Sequence, residues 1–313
     1  MASITRTTAQ TIVDKIYEHY EKLNEEPSRG YLGMSGFGND CDRALWYGFR
    51  WAVGKEQFSG RMLRLFQTGH REEARMIDDL KAIGVEILER DPATGDQWAL
   101  SDASGHLRGH MDGMAVNIPG VGEAVLEFKT HNETSFKSVV SNGVKTAKPG
   151  HFRQLMLYMH FSKIPRAFYL AHNKNNDELY GEMIDYDPAV GAALERRGQR
   201  IIEAVEPPRR LHEDPTSKAA YGCKTCFAFN VCHKGQFANR TCRTCAHVTP
   251  TTNGEWHCDK YKTTLEPDFQ RTGCSSHRYI PGIVPGRLTK ATDDFTLTYE
   301  LPNGGTFIDG PAD

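Results

Sequence analysis

The sequence predicts a mixed α/β fold, a central mixed sheet flanked by helices, with a cysteine-rich appendage towards its C-terminal end. Three observations predict it. Segments with helical apolar spacing alternate with short strand-like runs over residues 8–205. The stretch from His106 to Lys129, HLRGHMDGMAVNIPGVGEAVLEFK, reads as two strands joined by a turn at Asn117-Ile118-Pro119-Gly120. Of the eight cysteines, all but Cys41 fall after residue 222.

A chain of 313 residues has room for one large domain plus an appendage. We expect a main domain over 1–238, a four-cysteine module over 239–282 and a β-hairpin tail over 283–313. No apolar run approaches the roughly 20 residues of a membrane span. The opening MASITRTTAQTIVDK has no apolar signal core. Both point to a soluble, intracellular protein. The formal net charge of −2 does not announce a nucleic-acid partner, so any such contact must use a local groove. It suits an enzyme that releases its product better than a tight DNA coat. No G-x-x-x-x-G-K-[ST] is present, which argues against a built-in P-loop motor. In a reducing compartment the cysteines read as metal ligands rather than disulfides.

Residues 8–24 read as an amphipathic packing helix, with Ile12, Val13, Ile16, Tyr17, Tyr20 and Leu23 at helical spacing. The glycine-rich run 30–38 matches no nucleotide motif and reads as a flexible loop. Cys41 then opens a helix. Residues 62–83 form a longer helix with Met62, Leu65, Phe66, Met76, Ile77 and Leu80 as its apolar positions. VEILER, 85–90, is a strand, followed by a turn over 91–96. After the central hairpin come a helix and a polar loop with Lys137, Lys145 and Lys148. That loop is either a phosphate contact or a solvated connector. Residues 150–162 form an apolar helix, with Gln154 and Tyr158 four apart on one face. Strands over 166–172 and 178–186 and a helix over 188–205 follow, ended by Pro207-Pro208. The tail, 295–308, reads as strand, turn, strand.

The hairpin carries the chemistry. Side chains alternate along a strand, so Glu127 and Lys129 share one face while Leu126 and Phe128 point into a core. Asp112 lies in or at the end of the preceding strand. Charges buried this way are costly unless they bind a metal or each other. Two carboxylates and an ammonium suit a divalent metal that activates water against a phosphodiester. The plainer alternative is a structural ion pair across a hairpin.

The pattern G-H-x-D-G, then about fourteen residues, then E-x-K, resembles the PD-(D/E)XK nuclease superfamily. The proline of that name is replaced by Met111. Gln154-x-x-x-Tyr158 after E-x-K resembles the RecB-like branch, which includes AddB-type subunits and iron–sulfur CRISPR-associated exonucleases. The resemblance implies a restriction-endonuclease-like fold and a metal-dependent DNA nuclease. It implies Mg²⁺ or Mn²⁺ held by Asp112, Glu127 and His70, with Glu73 in reserve on the same helix face and the Phe128 carbonyl as a further ligand. Lys129 would position water or stabilise developing charge. Gln154 and Tyr158 would orient Lys129 and the strand. An exonuclease on single-stranded DNA or DNA ends is the expectation, in recombination, repair or phage DNA processing. A helicase or recombinase partner would be in keeping with the resemblance. The alternatives are an endonuclease of the same fold and a non-catalytic Fe–S or zinc DNA-binding or assembly module.

Cys223, Cys226 and Cys232 give C-x2-C-x5-C and need a fourth ligand; Cys41 is the one cysteine before them. Four thiolates suit an Fe–S cluster or zinc. The resemblance to the AddB-type clasp favours a 4Fe-4S cluster. Cys242 and Cys245, then Cys258 and Cys274, resemble a small zinc-binding module with Trp256 in its core. His247, His257 or His277 could replace a cysteine there. Four protein thiolates leave no open position, so stability or DNA positioning is expected of it rather than chemistry.

Overall fold

In a computed structural model of the chain, residues 7–24 and 28–310 are described. The outermost residues of the expected main domain and tail, 1–6 and 311–313, lie outside them. Helix α1 (Thr8–Leu23) begins where the Thr7 side chain accepts the Gln10 N–H at 3.2 Å. The glycine-rich run is not a flexible loop. It holds β1 (Leu32–Gly33) and a 3₁₀ turn (Met34–Gly38), with Met34 and Phe37 fully buried. A Cβ on Gly38 would lie 3.1 Å from the Gly150 Cα, so glycine lets the two backbones touch. Helix α2 (Asp42–Phe49) starts directly after Cys41 and buries Trp46, Tyr47 and Phe49. Helix α3 (Gly60–Ala82) is capped by Ser59, which accepts the Met62 N–H. α1 packs along α3, with Tyr20 donating to Gln67 Oε1 at 2.6 Å and Glu21 accepting the Gly60 N–H at 2.7 Å. None of the residues of α1 is buried, and Ile12 and Ile16 stay exposed.

The remaining strands of the body are β2 (Ile87–Leu88), β3 (Ala99–Ser101), β4 (Leu107–His110), β5 (Gly113–Ile118), β6 (Gly122–His131), β7 (Arg166–Asn173) and β8 (Leu179–Asp185). The main sheet runs β2-β5-β6-β7-β8, and β1-β4-β3 form a second small sheet. In the main sheet β6 and β7 are parallel, with Glu127 opposite Tyr169 and Lys129 opposite Ala171, and its other neighbours are antiparallel. The parallel crossover is made by α4 (Glu133–Ala147) and α5 (Pro149–Ser162), and α5 buries Leu155 to Met159 in the larger core. On the opposite face Met76, Ile77 and Leu80 of α3 pack on Leu126 and Phe128. The expected mixed sheet flanked by helices is therefore present.

Two local expectations change and a third is extended. The first hairpin strand is split: β4 belongs to the small sheet, β5 to the main one, and Met111-Asp112 is the join. The expected polar loop before residue 148 is helical to Ala147, kinked where Gly143 takes φ 70°. The expected tail hairpin is present over 297–309, and a further strand over 287–291 pairs with it to make a three-stranded meander.

α6 (Pro188–Glu203) closes the body; of the C-x2-C-x5-C cysteines, Cys223 lies on α7 (Tyr221–Lys224), Cys232 on α8 (Phe229–His233) and Cys226 between them. The appendage holds an antiparallel sheet of β9 (Val248–Pro250), β10 (Trp256–Cys258) and β11 (Thr263–Thr264). The meander is β12 (Arg287–Ala291), β13 (Leu297–Glu300) and β14 (Thr306–Asp309). β12 is exposed throughout, so its sequence shows no apolar alternation.

The appendage does not stand apart. Arg243 donates to Gly30 O at 3.0 Å, Phe49 O at 3.1 Å and Gln270 Oε1 at 2.9 Å. Its guanidinium lies 3.7 Å from the Trp51 ring centre and 4.4 Å from that of Trp256. Trp256 is fully buried. No helix among the described residues is long and apolar enough to cross a membrane.

Candidate active site

Asp112 sits where the chain leaves β4 and enters β5. Its Oδ2 accepts the Phe128 N–H of neighbouring β6 at 3.0 Å, which fixes the carboxylate beside that strand. Glu127 and Lys129 project together from the other face of β6, as the period of two requires. Glu127 is fully buried and pairs with Lys129, which also donates to the Phe128 carbonyl at 3.2 Å.

From α5, Gln154 donates to both Glu127 oxygens at 3.0 and 3.3 Å and to the Tyr158 hydroxyl at 2.9 Å. Glu127 therefore has its charge answered by an ammonium and an amide. Tyr158 approaches β4 closely because residue 109 is glycine. A Cβ there would lie 2.7 Å from both the Tyr158 ring and the Met34 sulfur.

Burial is the main force raising the Glu127 pKa; the Asp112 charge adds to it, and Lys129 opposes it. Burial alone would lower the Lys129 pKa, but the Glu127 and Asp112 carboxylates outweigh it and raise it.

Glu73 on α3 completes the cluster. Its pKa is pushed up to about 7, by burial first and by the Asp112 charge second, with Lys129 opposing. His70, the preferred helix ligand, is exposed and makes no hydrogen bond among the described residues. The structure thus brings Asp112, Glu127, Lys129, Gln154, Tyr158 and Glu73 together, and leaves His70 at the surface. A sequence signal for Glu73 exists. Met76, Ile77 and Leu80 follow it at i+3, i+4 and i+7, so Glu73 continues their inward stripe.

A second layer was not foreseen. His131 Nε2 and His151 Nδ1 each lie 2.9 Å from the Tyr169 hydroxyl, and His131 Nδ1 lies 2.9 Å from Ser135 Oγ. Burial pushes His131 down to about 4 and His151 down to about 3, with nearby Lys129 and Lys148 adding to both shifts. The signal was periodic: His131 shares the Lys129 face of β6, and His151 lies three residues before Gln154 on α5.

The cysteines gather in two cavities. Cys41, Cys223, Cys226 and Cys232 line one of about 20 Å³ beside Tyr47 and Arg210. Arg210 donates to the Cys232 carbonyl at 2.7 Å. Cys242, Cys245, Cys258 and Cys274 line another of about 20 Å³, with His247 and His277. His257 does not line it. All eight cysteines are free thiols. Burial, reinforced by the neighbouring cysteines, pushes the Cys242 thiol up to about 11. His277 is buried, its Nδ1 without a hydrogen-bond partner among the described residues. Among the described residues, no three His, Cys, Asp or Glu side chains stand close enough together to hold a metal ion as placed. The donor chemistry nonetheless fits: oxygen ligands at the carboxylates, soft thiolates at the cavities.

No family model and no curated relative matches the chain. Among solved structures, it is similar to an alkaline exonuclease (LHK-Exo) from Laribacter hongkongensis. That match has 15% identity, 59% of this chain and 90% of that chain covered, and a TM-score of 0.40. It is also similar to SSO0001, with 15% identity, 72% and 97% covered and a TM-score of 0.42. LHK-Exo in complex with dAMP gives 14% identity, 60% and 89% covered and a TM-score of 0.37.

Proposed function

We propose that the protein is a divalent-metal-dependent deoxyribonuclease that hydrolyses phosphodiester bonds, acting as an exonuclease on single-stranded DNA or DNA ends. One observation supports this above the others. Asp112, Glu127 and Glu73 form a cluster of carboxylates beside Lys129, and burial and mutual repulsion raise the pKa values of two of them. Such a cluster is unfavourable by itself and suits a hard divalent cation.

Asp112, Glu127 and Glu73 would hold Mg²⁺ or Mn²⁺, with Glu73 in the place first assigned to His70. Bound there, the metal would polarise the phosphate and acidify a water molecule. Asp112 is pre-oriented by the Phe128 N–H. Gln154 holds Glu127 by both oxygens and keeps Tyr158 against it. Lys129, paired with Glu127 in this structure, would stabilise negative charge on the scissile phosphate.

The two thiol cavities fit structural metal centres, a 4Fe-4S cluster on Cys41, Cys223, Cys226 and Cys232 and zinc on Cys242, Cys245, Cys258 and Cys274. Four thiolates at each leave no open position for substrate.

The test is cleavage of end-labelled single-stranded DNA, linear and circular, in Mn²⁺. The linear form should be cut, and Lys129→Ala and Asp112→Ala should each lose at least about 100-fold in rate. Circles cut as readily would make it an endonuclease. Undiminished activity in both variants would refute the site. No cleavage by a preparation containing both iron and zinc would favour the binding-module reading.

A further inference from the structure

Beside the carboxylate cluster lies a groove of about 190 Å³ lined by Arg29, Tyr31, Ser35, Arg108, His110 and Tyr158. None of these residues belongs to the catalytic motifs except Tyr158, which forms the inner end. Its hydroxyl accepts from Gln154, the residue that holds Glu127. His110 stands two residues before Asp112. The groove therefore opens directly onto the proposed chemistry.

Its charge is unbalanced. The Arg29 and Arg108 guanidiniums lie 5.7 and 5.9 Å from the Tyr31 ring centre, and the His110 ring lies 6.2 Å from it. Neither arginine is ion-paired with a carboxylate among the described residues, and no carboxylate lines the groove. Arg108 Nε donates to Gly105 O at 2.6 Å, and its terminal nitrogens make no hydrogen bond among the described residues. Two guanidiniums beside one aromatic ring, with no acid lining the groove among the described residues, in a chain of net charge −2, suit a local anion contact rather than a general basic surface.

Shape narrows the ligand. Arg29, Tyr31 and Ser35 also line a larger cleft of about 700 Å³ that reaches Phe58 and Phe227. The two spaces form one path away from Tyr158. The larger cleft carries Arg29 and Lys55 with one acid, Glu56, and its aromatic rings suit a strand with unpaired bases.

We propose that this groove binds the phosphodiester backbone of single-stranded DNA next to the scissile bond, with Arg29 and Arg108 as its phosphate contacts. The proposal rests on the nuclease reading, and the experiment separates the two. Binding of fluorescein-labelled (dT)20 is followed by anisotropy over a salt series, using the full chain with Asp112→Asn so that no strand is cut. Arg29→Ala and Arg108→Gln should each weaken binding about 10-fold and lower the salt slope by about one. Lysine at either position should restore most of the slope. Arg29 makes no side-chain hydrogen bond among the described residues, so Arg29→Ala should melt like its parent. Unchanged affinity and slope in both variants and in the double variant overturn the groove.

In parallel, Mn²⁺-dependent hydrolysis of bis(p-nitrophenyl) phosphate, too small to span site and groove, is measured in the chain with Asp112 intact. The arginine variants should match the parent there, and Asp112→Asn should lose activity. Hydrolysis that ignores Asp112 while the arginines still set the salt slope would sink the nuclease reading and keep the groove. Loss of hydrolysis in the arginine variants equal to that in Asp112→Asn would place them in the chemistry and overturn the groove.

Discussion

At Tyr169 a single phenol meets two imidazoles, buried His131 and half-buried His151, in the layer behind Lys129. Neither histidine stays protonated there, because burial and the lysines nearby hold both pKa values far below 6.5. In the unfolded chain each binds a proton near pH 6.5. Below that pH the unfolded state carries the extra protons, so this contribution to stability is full above pH 6.5 and is lost as the pH falls towards 4. His151→Gln should soften that loss by about 1–2 kcal/mol between pH 7 and pH 5. Denaturant unfolding of both proteins at the two pH values measures it, and parallel slopes would contradict it. These histidines were not legible in the sequence as a pair, because what joins them is a tyrosine on a third element. Glu127 and Lys129 were legible, because a strand's alternation puts residues two apart on one face whatever the tertiary context.

Among the elements, α3 shows best what spacing can and cannot decide. His70 and Glu73 are three apart, so a helical wheel places both near one face. What separates them is the apolar stripe of Met76, Ile77 and Leu80, which turns Glu73 towards β6 and leaves His70 in solvent. Glu73→Gln should lower Mn²⁺-dependent DNA cleavage at least about 100-fold, whereas His70→Ala should stay within about threefold of the parent. The reverse ranking would restore His70 as the ligand. β4 and β5 show the converse difficulty. Continuous strand character hid a change of sheet at Met111-Asp112, since alternation records a face and not a partner. The glycine run 30–38 misled for a related reason. Glycine marks both mobile loops and tight backbone approach, and here the contact with Gly150 decides between them.

Across the whole molecule, the cysteines join what the sequence separates. The cavity shared by Cys41 and Cys223, Cys226 and Cys232 ties the start of α2 to α7 and α8. If an Fe–S cluster sits there, Cys226→Ser should yield colourless, poorly soluble protein without the cluster's visible absorbance, and full absorbance in that variant would remove the assignment. A long loop closed by such a centre is constrained in the unfolded chain as well as the folded one. The quartets were legible as counts and spacings. Their setting was not, because the Trp51–Arg243–Trp256 stack that fuses the appendage to the body depends on three distant segments meeting. The position of Cys41 also bears on the order of synthesis. The ribosome releases Asp112, Glu127, Lys129, Gln154 and Tyr158 before any of the three cysteines that complete the first cavity. A nascent chain can therefore gather these side chains while that cavity still lacks three of its four thiols, and translation itself delays its completion until the rest of the body has been made.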